Sequence, residues 1–584
     1  MDSLALRPTY HLVSVHHVDG RCLVFSGSKD MYAWTDGFLA LSDPINPPNY
    51  GIRVPNPGKA DIKFIKQCLH RCRETHGRRC KTPMGSPTSN LRVIDCQLRT
   101  PEVVDAPDNC QYAALSYVWG SPQISATGGQ STETFPRVVS DAILATTMLG
   151  IRYLWVDRHC IDQDDESHKH QQIQQMGQIY SYAEVTLIAA GGPDASCGLP
   201  GIGSVSRFAR ARLETCGVLL QEGARHVGHF VKESVWATRG WTLQESFLSR
   251  RRVIFTESEA AFLCNCSHAA ESWRVPYTLP AANLLSIAPF EALTPKAFFS
   301  YDSTVRYKAR AEMLKAMLEQ YTARKPMYQS DALNACTGVF RLLETGEEKF
   351  ICGLLTTIYS PQAATTNFTM WLAWYHKNPS RRRPGFPSWP FLGWDGPAMM
   401  GMAEMARPVF WNRTYEHSKG EGIHPNNRPL YLAIESLDTA TGLSHRLRLQ
   451  GRMFSINARN LHDHEMQSLR ELGQRQTPDD VDRACTKGVY AELEVAGTGT
   501  KELRLVCMDP VNPRLGVYKG LLLWITDYSL IEPDDQWGPP ILLFEKHQDV
   551  FERAGFVHHG SSASIWFDDR GIYMHQSPEL RDKH

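Results

Sequence analysis

Apolar and polar positions fall into three separated stretches that each predict a strand meeting a helix. The fullest is 151–192. Tyr153 to Val156 is a short apolar run that stops at Asp157, and Asp162 to Asp165 then gives a polar turn with a helix N-cap. Ile173, Met176, Ile179, Tyr180 and Ala183 recur at helical spacing, and Val185 to Ala190 is a second apolar run closed by Gly191-Gly192-Pro193. Two apolar strands joined through an amphipathic helix predict a parallel β-α-β unit. Such sheets bind ligands at the carboxyl ends of their strands, where Asp157 stands. Upstream, Tyr112 to Gly120 reads as another strand, broken by Gly120, Ser121 and Pro122, and 137–150 as a helix returning to 153–156. Downstream, 234–245 opens a helix, Arg250-Arg251-Arg252 follows, and Val253 to Phe255 is a strand. Trp241 and Glu245 are four apart and share one helix face. The arginine run reads as a solvated face.

The same patterning divides the rest of the chain. Residues 1–60 are rich in Gly, Pro and Asn and predict irregular or weakly stranded structure. Asp61 to Arg79 predicts a helix and Leu91 to Cys96 a strand. Residues 290–345 read as mostly helical. From about 346 alternation and aromatics take over, with Trp371, Trp374, Trp389 and Trp394 around a Pro-rich bend. Strands are expected near 430–435, 445–456, 488–495, 501–508, 520–526, 541–545 and 563–567, with a polar helical or mobile insertion at 457–486. The expected organisation is an extension over 1–110, an α/β domain over 111–268, a helical segment over 269–345 and a β-rich domain over 346–584.

Composition narrows the chemistry. At 584 residues more than one core is expected. Lys+Arg and Asp+Glu both number 62, so the net charge of zero speaks against nucleic acid as a bulk electrostatic partner. No apolar run reaches the roughly 18–20 residues of a membrane helix, and the N-terminus lacks the pattern of a signal peptide. Fifteen cysteines without framework spacing then predict reduced thiols in the cytosol or nucleus, and a cytoplasmic location is expected. Cys68, Cys72, His76 and Cys80 fall four apart, but one straight helix cannot wrap four ligands around an ion, so a packed face is expected. Cys264, Cys266 and His268 have no second ligand pair at standard spacing, and no metal is expected there either. His159 and Cys160, as neighbours on an extended strand, point apart and make a poor nucleophile pair. No Walker-type phosphate loop is present.

Three stretches taken together resemble the heterokaryon incompatibility (HET) domain family of filamentous fungi. They are YAALSYVWG at 112–120, YLWVDRHCIDQDD at 153–165 with QQIQQMGQIYSYA at 171–183, and RGWTLQE at 239–245. Weaker likeness extends to the helix at 63–80 and to segments 321–339 and 386–396. Trp389-Pro390-Phe391 departs from the family's Trp-Ser-Trp, and Arg158-His159 replaces a more apolar pair. HET domains are in turn similar to Toll/interleukin-1 receptor (TIR) domains. That resemblance implies a TIR-like, flavodoxin-like parallel sheet with flanking helices. It likens Trp241 and Glu245 to the TIR Trp-x-x-x-Glu element, whose glutamate is catalytic in TIR enzymes that cleave NAD.

The resemblance implies a part in fungal non-self recognition and regulated cell death, with an allelic or non-allelic recognition protein and a second copy of the chain as partners. NAD is the implied substrate, and no cofactor is required. Glu245 is the implied catalytic residue. Ser116, Tyr117, Trp119, Asp157, Arg239 and Trp241 are the implied binding residues. On the residues alone, a core strand with packed aromatics explains Ser116, Tyr117 and Trp119 more simply. The alternative to an enzyme is a non-enzymatic module that signals by self-assembly, with Trp241 and Glu245 in its interface.

Overall fold

A computed structural model describes residues 55–81, 90–120, 135–209, 227–274, 314–326, 328–346, 348–357, 368, 371–376, 378–400, 433–434, 449–450, 453–460, 489–494, 501–509, 511–512, 514–522, 541–547, 550–557, 564–568 and 571–575, with short strands at 11–14, 23–26, 39–42, 51–52, 212–215 and 218–222. The chain divides into two compact units, residues 1–306 with 334–339, and residues 307–333 with 340–584.

In the first unit a ten-stranded sheet carries the site. Its strands are β1 (Gly51–Ile52), β2 (Arg92–Asp95), β3 (Glu102–Asp105), β4 (Tyr112–Ser116), β5 (Tyr153–Trp155), β6 (Val185–Ala189), β7 (Arg251–Phe255), β8 (Ala260–Cys264), β9 (His268–Ala270) and β10 (Trp273–Arg274). They lie in the order β1-β10-β9-β8-β7-β6-β4-β5-β2-β3. The helices are α1 (Ile62–Thr75), α2 (Gly77–Cys80), α3 (Arg137–Leu149), α4 (Asp157–Cys160), α5 (Glu166–Tyr182), α6 (Val227–Glu233) and α7 (Gly240–Leu248).

The α/β expectation holds, with one amendment. Only the centre, β5-β4-β6-β7, is parallel. Both flanks are antiparallel. The pairs β2–β3, β7–β8, β8–β9 and β9–β10 follow one another through connections of only a few residues, and a connection that short can close only an antiparallel pair. By order of appearance the parallel strands run 2-1-3-4, the flavodoxin arrangement, whose crevice opens where the order reverses at β4 and β6. Strands β4, β6 and β7 are buried along their whole length, which explains their continuous apolar sequence.

Local signals set the helices. Asp165 caps α5 by accepting from the Ser167 and His168 amides at 2.9 and 3.0 Å. Gly150, at φ +82°, ends α3 in the left-handed region. Helix α5 packs on α7, and Gly177 permits the approach, since a Cβ there would lie 3.0 Å from Leu248 Cδ1. The helix foreseen over 61–79 breaks at His76, whose φ of −100° and ψ of 91° are extended.

The arginine run departs from expectation: Arg250, Arg251 and Arg252 are all buried. Their guanidiniums serve orphan carbonyls at helix ends. Arg250 donates to the Ser181, Tyr182 and Ala183 oxygens at the tail of α5, and Arg252 to the Ser246 and Phe247 oxygens at the tail of α7. Arg251 donates to the Glu184 and Cys80 oxygens.

A five-stranded antiparallel sheet joins 11–14, 23–26, 39–42, 218–222 and 212–215. Helix 314–322 and Asn334–Leu343 fall in the stretch read as helical, and a strand lies at or overlapping each expected position of the β-rich region, while Val550–Val557 and the strands at Glu348–Ile351, Leu354–Thr357 and Trp374–His376 were not foreseen. In the second unit, Met453–Asn460, Val489–Glu494, Lys501–Met508, Val550–Val557, Ile541–His547 and Gly516–Leu522 close a six-stranded barrel. Asp509 accepts from Arg553 Nε at 2.7 Å and bonds His376 Nδ1 at 3.0 Å, all three side chains being buried. The insertion expected at 457–486 does not begin there, since strand Met453–Asn460 runs through its first four residues; its remainder, 461–486, and the helical reading of 290–313 lie outside the described residues. No helix among the described residues is long and apolar enough to cross a membrane.

Candidate functional site

Strand β4 ends at Ser116, beside Ile188 of β6, so the serine side chain sits at the order-reversal crevice. Helix α7 lays Glu245 against it. Ser116 Oγ donates to Glu245 Oε2 at 2.5 Å, and Trp236 Nε1 donates to Ser116 Oγ at 2.7 Å. Ser116 is 1% and Glu245 4% exposed. Burial, and after it the charge of Asp157, push the Glu245 carboxyl up to about 8 against the opposing effects of Ser116, Arg239 and Tyr180.

Asp157 begins α4 at the end of the neighbouring strand. Its carboxylate accepts from Trp119 Nε1 at 2.9 Å and from the Arg158 amide at 2.7 Å. Burial raises it to about 6, against these hydrogen bonds and the charges of Arg239 and Arg158. Arg158 lies over the Trp119 ring at 5.6 Å. Tyr117 is buried, and its hydroxyl has no hydrogen-bond partner among the described residues. Arg239 and Trp241 are half-buried, at the start of α7.

Thus Ser116 and Glu245 touch, Trp119 and Asp157 touch, and Asp157 and Arg239 act on Glu245 through charge. Trp241 precedes Glu245 by one turn. Two residues were not foreseen as part of the site. Trp236 fixes the serine, and its aromatic position before Arg239-Gly240 was the available signal. Tyr180, read only as part of an apolar face, bonds the Leu115 carbonyl at 3.1 Å and reaches Glu245. His159 and Cys160 lie in a single helical turn, α4.

At the opposite end of the sheet the thiols behave differently from the packed face expected. The break at His76 and the end of β8 bring Cys72, His76, Cys80 and Cys264 together, with all four ligand atoms within 4.8 Å of one another. The helix is not straight, because it breaks at His76, and β8 contributes Cys264 as a fourth ligand atom, so the geometry that spoke against a metal does not apply.

Residues 112–245 match the family described as heterokaryon incompatibility protein (HET). The chain is 24% identical to heterokaryon incompatibility protein 6, OR allele, of Neurospora crassa, over 32% of this chain and 30% of that protein. The match therefore spans under a third of the relative's length. No solved structure matches the chain.

Proposed function

We propose, for a chain that carries a HET domain of the fungal kind at residues 112–245, a role in heterokaryon incompatibility and regulated cell death, with NAD cleavage at Glu245 as the effector chemistry. The observation that supports this is the buried acid held by Ser116 at the β4–β6 crevice, where flavodoxin-type sheets bind ligands. The Tyr117 hydroxyl, without a partner among the described residues, adds support, because a buried polar group beside a strand tip can be satisfied by an incoming hydroxyl or phosphate.

In this reaction the bond between ribose C1′ and the nicotinamide nitrogen breaks, and its electron pair goes to the pyridinium, which leaves neutral. No general acid is needed. Water adds to C1′ and releases a proton, giving ADP-ribose. Ionised Glu245 accepts hydrogen bonds from ribose hydroxyls and stabilises the oxocarbenium-like transition state. Arg239 pairs with the pyrophosphate and Trp241 stacks on a flat ring. At 4% exposure Glu245 is covered, so NAD entry requires α7 to move from β4. The cationic pyridinium then favours the carboxylate.

The test is nicotinamide release from NAD by the purified chain, alone and under conditions that assemble it, against Glu245→Gln and Glu245→Ala. Release by the parent and none by the variants is expected. Equal release by Glu245→Gln removes the glutamate from the mechanism. The second reading is a non-enzymatic assembling module, and the burial of Glu245 by Ser116 favours it, as an internal hydrogen bond suits a structural acid. In that reading Glu245 is not part of the interface, and toxicity survives Glu245→Gln.

A further inference from the structure

We propose that Cys72, His76, Cys80 and Cys264 form a structural zinc site that fastens the N-terminal helix pair to β8. The four ligand atoms lie within 4.8 Å of one another, and Cys264 Sγ is 3.3 Å from His76 Nδ1. A tetrahedral zinc with Zn–S of about 2.3 Å and Zn–N of about 2.0 Å sets S···S near about 3.8 Å and S···N near about 3.5 Å. The cluster therefore needs only small adjustments to close on an ion.

The backbone is arranged for it. Helix α1 delivers Cys72 in its last turn, the extended His76 turns the chain, and α2 ends on Cys80. The fourth ligand comes from the end of β8, 184 positions beyond Cys80 in sequence. Cys72, Cys80 and Cys264 are buried and unbridged. Three thiols with one imidazole make a closed ligand set with no open position, the pattern of structural rather than catalytic zinc.

The surroundings suit thiolates. Cys264 Sγ accepts from the Cys266 and Ser267 amides at 3.4 and 3.2 Å, and Cys72 Sγ from Arg251 Nε at 3.2 Å. Three thiolates around a divalent ion leave one negative charge, and the buried Arg251 guanidinium offsets it. Cys264 pairs with Arg251, the first residue of β7, so the site lies at the foot of the sheet, away from Ser116 and Glu245. Cys266, half-buried and 3.7 Å from Cys80 Sγ, lies beside the set and not in it.

The experiment is elemental analysis of the purified full-length chain after dialysis against EDTA. One zinc per chain is expected. Cys72→Ser, Cys80→Ser and Cys264→Ser each lose it, while Cys68→Ser and Cys266→Ser keep it. Because ligand variants can fail to fold, the parent is also exchanged into cobalt. Intense visible bands with a sulfur-to-cobalt charge-transfer band are expected. Folded parent without metal, weak octahedral cobalt bands, a disulfide among Cys72, Cys80 and Cys264 in the non-reduced mass spectrum, or retention of zinc by Cys264→Ser each overturns the proposal.

Discussion

Replacing Glu245 with glutamine is expected to stabilise the protein, and to do so in a pH-dependent way. In the unfolded chain this carboxyl ionises near its ordinary value of 4.5, whereas in the folded chain it keeps its proton to about 8. Between those values the folded state binds the extra proton, so stability falls as pH rises, by about 1.4 kcal/mol per pH unit. By pH 7 the loss reaches about 3 kcal/mol, and it levels off at about 5 kcal/mol above pH 8 as an upper bound. Glutamine is neutral throughout, and it keeps an acceptor for Ser116 and a donor in place of the carboxyl proton. Thermal melts of parent and Glu245→Gln from pH 4.5 to 8.5 should coincide at the acid end and separate in favour of the variant as pH rises. A variant less stable than the parent at pH 7.5, or a difference that does not change with pH, refutes the reasoning. The prediction is independent of NAD, since it rests only on the buried acid. A variant more stable yet inactive in nicotinamide release would show that the site is held at a cost to the fold.

Other expectations concern the same acid and the second unit. If the carboxylate is the working form, kcat/KM for nicotinamide release rises with pH through about 8, and a flat profile from pH 6 to 9 contradicts it. Asp157→Asn removes a charge that raises Glu245 and keeps an acceptor for Trp119, so the rising limb should move to lower pH. Ser116→Ala removes a hydrogen bond that opposes the rise and leaves the Trp236 indole without its acceptor. The limb should move to higher pH, with a loss of about 1–3 kcal/mol in denaturant unfolding. Asp509→Ala leaves the Arg553 guanidinium buried beside Trp374 without its carboxylate, and a loss of about 3–5 kcal/mol is expected in thermal or urea unfolding. A change below about 1 kcal/mol would mean that the guanidinium finds another partner.

What the sequence conveyed was local. Continuous apolar runs marked β4, β5 and β6 because those strands are covered on both faces, and Asp165 announced the start of α5 through its own hydrogen bonds. The position of Glu245 opposite Ser116 was legible only through the HET and TIR resemblance, as 129 residues separate the two. Everything that depended on distant partners was hidden. Arg250 to Arg252 looked solvated because helix-end carbonyls that absorb guanidiniums leave no trace in the local pattern. The cysteine set was invisible because one member comes from β8 and because a break at His76 cannot be told from an unbroken helical period. The Asp509, His376 and Arg553 cluster draws on three separate segments of the second unit, each unremarkable alone.

Two arginines one residue apart, Arg250 just before β7 and Arg252 within it, hitch two helices. Arg250 grips the tail of α5, which presents Tyr180, and Arg252 grips the tail of α7, which presents Glu245. Neither helix can drift away along its axis without tearing guanidinium bonds from the interior. Whatever uncovers the acid must therefore swing each rod about its moored end, with the widest travel at Glu166 and Gly240.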